Sequence, residues 1–134
     1  MTNLEDDIEV IESGYEFLLA YAAQGRPPQL DTGPGPHPRP ELQAMLTSMQ
    51  SASGLLASSA GEFEQIIVQD LARAMAAVKF VLAQEKIGSE IVDNLNASIH
   101  LRTVLTDFFL YSEAFKPLTA EAAKQTAGWD KVGN

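Results

Sequence analysis

Apolar residues recur along most of this chain at intervals of three and four, the rhythm of helices buried on one side. Between residues 3 and 24, Leu4, Ile8, Ile11, Tyr15, Leu18 and Ala22 form one such stripe. Val10, Gly14, Phe17 and Tyr21 form a second beside it. On a helical wheel the two merge into an apolar arc of roughly 200°, about twice what a surface helix needs. A helix with so wide an arc meets two surfaces. These are either two neighbours in its own bundle, or one neighbour and a second subunit, with Val10, Phe17 and Tyr21 as candidate homodimer contacts.

Gly25 followed by Arg26-Pro27-Pro28 ends this first helix. Residues 25–40 hold six of the seven prolines and read as an extended, polyproline-like linker. His37 lies inside it, where an exposed, uninvolved side chain is expected. A second helix over about 40–59 carries Leu42, Met45, Met49, Ala52 and Leu56, and Ser58-Ser59-Ala60-Gly61 reads as a turn, with a continuous or kinked helix through it as the alternative. A third, over about 62–86, carries Ile67, Leu71, Ala74, Val78 and Val81. Lys86-Ile87-Gly88 closes it. A fourth is expected over 89–115, the longest patterned run with neither Pro nor Gly, ended by Pro117. A short helix at 119–127, with Trp129 as an anchor, completes the reading. The expected fold is all-α, a single-domain four-helix bundle of residues 1–134 with an internal linker at 25–40.

The charge balance narrows the possible partners. Eighteen acids against nine bases leave a net charge of −9. The bases are scattered singly, so neither nucleic acid nor an anionic membrane surface is an expected partner. No apolar run is long enough for a membrane span, and the acidic N-terminus is unlike a signal peptide, so the expected location is the cytoplasm. The absence of cysteine removes disulfides, thiol catalysis and cysteine metal sites. Glu5, Glu9, Glu12 and Glu16 form an acidic ridge down the first helix, with no base before Arg26. Like charges one turn apart cost a few tenths of a kcal/mol per pair. The ridge is therefore either a solvated face or a docking strip for a basic partner.

Catalytic patterns are missing. The three residues before His100 supply no glutamate for a Glu-x-x-His di-metal motif, and helix four offers zinc a single histidine. There is no nucleophile elbow, phosphate loop or dinucleotide glycine pattern. The chain reads as a non-enzyme with no catalytic residue, no metal and no cofactor.

One polar constellation stands out in the fourth helix. Asp93, Asn96, His100, Thr103 and Asp107 repeat at the core rhythm but are polar. This stripe is either a solvent face or a recognition strip with a titratable imidazole at its centre. The surrounding residues 96–113 resemble the H-box helix of sensor histidine kinases. Asn96, Ser98, Leu101, Arg102, Thr103, Leu105 and Thr106 match its usual N-x-S-H-E-L-R-T-P-L-T form, and Tyr111 and Glu113 suit the same helix. The phosphoacceptor histidine aligns with Ile99, the acidic residue with His100 and the proline with Val104. The resemblance implies a degenerate phosphotransfer-like regulator without kinase activity.

These observations set the leading expectation of a small acidic adaptor that binds other proteins, as a homodimer. An alternative is a bundle that holds an apolar ligand among Phe63, Phe80, Phe108, Phe109, Tyr111 and Phe115.

Overall fold

The computed structural model describes residues 2–115. Among them the chain forms five helices: α1 (Thr2–Ala23), α2 (Pro38–Leu56), α3 (Glu62–Leu82), α4 (Ser89–Ala97) and α5 (His100–Phe115). The fold is all-α, and no helix among these residues is long and apolar enough to cross a membrane. The expected helix at 119–127 and Trp129 lie outside the described residues.

Hydrogen bonds at the helix ends set the directions. Arg39, in the first turn of α2, donates to the carbonyls of Leu82 and Gln84 at the C-terminus of α3, both at 2.6 Å. The side-chain amide of Gln65 on α3 donates to the carbonyls of Ala57 and Ser59, beyond the end of α2. Helices α2 and α3 are thus an antiparallel hairpin. Tyr21, near the end of α1, meets Ile87 and Ser89 at the start of α4. The bundle therefore runs up, down, up, down, with α4 and α5 sharing the fourth position.

The core collects the apolar stripes. Ile11, Leu18, Leu42, Met45, Met49, Ile67, Leu71, Val78, Leu101 and Phe108 are fully buried. Gly14 lets α1 approach α2 closely, since a Cβ placed there would stand 2.3 Å from Cγ of Met45. Both flanks of α1 are occupied inside its own chain, by α2 on one side and by α4 and α5 on the other. These contacts bury Leu4, Ile8, Ile11, Leu18 and Tyr21 of the wide arc, while Val10 stays exposed and Phe17 half-buried.

Local signals explain most boundaries. α1 stops where Gly25 takes a left-handed φ of 65°. α2 starts at Pro38, two residues earlier than expected; Pro38 and Pro40 both fall in the first turn, where a missing N–H costs nothing. α3 ends at Leu82, four residues short of expectation. The chain beyond it turns back to pair Ile87 with Gln29 of the linker, with N–H to carbonyl distances of 3.1 and 3.3 Å. The linker thus crosses the end of the bundle and is fastened there.

The expected single helix over 89–115 is corrected. It breaks at Ser98 and Ile99, and Ile99 adopts a φ of 67°, a left-handed conformation that β-branched residues rarely take. Asn94, Asn96 and Ser98 are weak helix formers in close succession. The Ser98 hydroxyl donates to the carbonyl of Leu95 at 2.6 Å and competes locally with the helix ladder. Tertiary packing completes the break: α4 packs chiefly on α1, and α5 chiefly on α3.

Candidate functional site

The acidic ridge lies on the face of α1 turned from the core. Glu5, Glu9 and Glu16 are exposed and Glu12 is half-buried. Below them, α1 and the last turns of α5 border a shallow depression of about 330 Å³. It is lined by Glu5, Asp6, Glu9 and Glu12, with Ile8 at its floor and Ser112 of α5 on the far wall. Two ion pairs form among the described residues, Arg39 with Asp31 and Arg73 with Asp70. Neither reaches the ridge, so its carboxylates face one another and water. Glu5, in the first turn, is favoured by the helix dipole; the glutamates further along gain nothing from it.

The candidate dimer contacts sort differently. Val10 is exposed. Phe17 is half-buried and stacks on Tyr21 with ring centroids 6.0 Å apart. Tyr21 is corrected: its side chain is 1% exposed, inside its own chain. Its hydroxyl donates to the carbonyl of Ile87 at 3.4 Å and accepts from the side-chain amide of Gln29 at 3.1 Å. It ties α1 to the linker and to the α3–α4 connection, and a second subunit has no access to it.

The polar stripe of the fourth helix does not survive as one face, because the break at Ile99 divides it. Asp93 is exposed on α4. Asn96 turns toward α1 and donates to the carbonyl of Leu18 at 3.3 Å. His100 and Thr103, half-buried, open α5 on its own axis. Asp107 is half-buried, and its Oδ2 is sealed from solvent without a hydrogen-bond partner. Burial first, then the influence of the nearby Asp70 carboxyl of α3, pushes the Asp107 carboxyl up to about 7. One turn on, the Tyr111 hydroxyl donates to Glu64 at 3.1 Å, and burial followed by that contact raises the phenol above its usual range. Asp70 was invisible in the periodicity, where it reads as an ordinary polar-face residue.

The six aromatics proposed as a ligand pocket differ widely in exposure. Phe108 is buried, but Phe80 is 68% and Phe109 54% exposed. Tyr111 forms an edge-to-face pair with Phe115 at 4.9 Å and a tilted one with Phe63 at 6.4 Å, in a small cluster at the end of the α3–α5 seam.

A third polar assembly sits at the bundle end crossed by the linker. The buried Ser89 hydroxyl donates to the carbonyl of Tyr21 at 2.6 Å and accepts the N–H of Arg26 at 2.7 Å. The Ser89 N–H donates to the carbonyl of Arg26 at 2.8 Å. Two surface depressions flank the linker at Pro28, beside this hydrogen-bonded clasp. It holds the chain together.

Among the described residues, no three His, Asp or Glu side chains converge closely enough to hold a metal ion. The chain matches no protein-family model, no curated protein and no solved structure.

Proposed function

We propose that this chain is a protein-binding module that presents the acidic face of α1, and the depression between α1 and α5, to a basic amphipathic segment of a partner. The observation that carries the reading is the run of Glu5, Asp6, Glu9 and Glu12 around an apolar floor at Ile8, with no cation paired to any of them among the described residues. A solvated ridge needs no depression beside it. A docking strip gains from one, because apolar side chains of the partner can enter while its lysines or arginines meet the glutamates. The reading needs no second copy of the chain, although Val10 and part of Phe17 on the α1 arc stay open to solvent.

The test uses a synthetic lysine–leucine amphipathic helix as the probe. The expected result is micromolar binding that weakens at about 0.5 M salt, since the Debye length is then only about 4 Å. Amide shift changes should concentrate on residues 5–12 and around Ser112. Reversal of two exposed glutamates, Glu5→Lys with Glu9→Lys, should leave the helical circular dichroism unchanged and remove the binding. Shift changes scattered over the whole surface would show that net charge alone attracts the peptide.

A further inference from the structure

The depression beside the acidic ridge lies close to where α5 ends. Ser112, on its far wall, comes three residues before Phe115, the last residue of the helix, about 4.5 Å along the axis. Residues 116–134 therefore continue the chain from the rim of a depression lined by Glu5, Asp6, Glu9 and Glu12.

The charge of that segment is opposite to that of the chain before it. It holds three of the nine bases, Lys116, Lys124 and Lys131, and two of the eighteen acids, Glu121 and Asp130. Leu118 and Trp129 supply large apolar side chains, and Trp129 is the only tryptophan of the chain. Lysines interspersed with apolar residues complement four carboxylates around the apolar floor at Ile8. Reach is ample: the nine residues from Phe115 to Lys124 can span about 30 Å, against about 10 Å from Glu5 to Glu12 along α1. A segment tethered at the rim also meets the depression at an effective concentration on the order of millimolar. A contact too weak for a separate peptide is then still populated.

We propose that residues 116–134 are the resident occupant of the α1–α5 depression, their lysines set against its carboxylates, so that an outside basic segment must displace them. The occupancy itself does not depend on the proposed function; the role as a competitor rests on that reading.

Trp129 reports on the contact in the full chain. At low salt, acrylamide should quench it roughly threefold less readily in the wild-type chain than in Glu5→Lys with Glu9→Lys, or in Lys124→Glu with Lys131→Glu. Combining the two reversals should restore the protection. In the wild-type chain about 0.5 M salt should release Trp129, since the Debye length falls to about 4 Å. This salt titration decides alone should a variant fail to fold. Quenching that is the same in the wild-type chain, both reversals and high salt overturns the proposal. So does protection that fades on dilution, which would assign the contact to a second copy. The lysine–leucine helix separates the two readings. It should release Trp129 and bind Lys124→Glu with Lys131→Glu roughly three- to tenfold more tightly than wild type. Protection that the helix leaves untouched supports the occupancy and counts against the partner reading; an unprotected Trp129 beside a bound helix overturns the occupancy alone.

Discussion

Gly88 touches the backbone of Pro28. A Cβ placed on Gly88 would stand 2.6 Å from the nitrogen of Pro28, with the carbonyl carbon of Pro27 at 2.7 Å and the carbonyl oxygen of Arg26 at 2.9 Å. The backbone of Gly88, at φ −129° and ψ −172°, would suit any residue, so what is missing is space. The atoms in the way are backbone, and they are held by the Gln29–Ile87 bridge and the Ser89–Arg26 bonds. Gly88→Ala must lift the linker from the bundle end and should cost about 2–3 kcal/mol. Gly54→Ala is the control: nothing lies within 4 Å of its Cβ position, and a helix interior favours alanine by about 0.5–1 kcal/mol. Urea denaturation of both variants checks the contrast.

Arg39 reaches across the C-terminal end of α3. Its guanidinium collects the carbonyl of Leu82 in the last turn and those of Gln84 and Glu85 just beyond it, and pairs with Asp31 of the linker at 2.5 Å. A cation at a helix C-terminus is favoured by the dipole, and a planar fork serves several carbonyls at once. Arg39→Ala should lower stability by about 2–3 kcal/mol, and Arg39→Lys should recover less than half of it. Thermal melts of the two variants are the measurement.

Ile99 holds a conformation that its side chain disfavours. It is largely exposed, so replacing it loses little burial. A left-handed backbone costs an ordinary residue about 1–2 kcal/mol, and glycine or asparagine avoids most of this. Ile99→Gly should therefore stabilise the chain by about 0.5–1 kcal/mol. A loss of stability of similar size would mean that the side chain of Ile99 makes contacts worth more than the strain.

Stability should also depend on pH in a direction unusual for a carboxylate. The Asp107 carboxyl stands at about 7 in the fold, above its ordinary value of 3.8. The folded state thus holds a proton that the unfolded chain releases between those values. The contribution is complete below about pH 4 and is lost as pH rises through 7. The urea midpoint should fall between about pH 5 and about pH 8, and Asp107→Asn should flatten that slope. A midpoint that rises over this interval in the wild-type chain contradicts the assignment.

Several features were legible before any coordinates because they are local. The three–four spacing of Ile67, Leu71, Ala74 and Val78 dictates a helix and its buried face, since one turn of backbone decides both. The stop at Gly25 and the extended prolines after it follow from the dihedral limits of those residues alone. The acidic ridge was equally readable, as a property of one helix. Its depression was not, because Ser112 comes from the far end of the chain.

The rest depended on what folding brings together. Tyr21 reads as one more residue of a wide apolar arc until Ile87 and Gln29 enclose its hydroxyl. Asp70 reads as a solvent-face acid until α5 lays Asp107 against it. The break at Ile99 had no glycine or proline to announce it. Its weak signal, two asparagines and a serine, became decisive because α4 and α5 pack on different neighbours and a straight helix does not meet both. Local sequence determined the helices, the linker and the charge of each face. The tertiary structure decided which acids lie near one another, which glycine has no room for a methyl group, and where the fourth helix bends, since these depend on contacts between residues far apart in the chain.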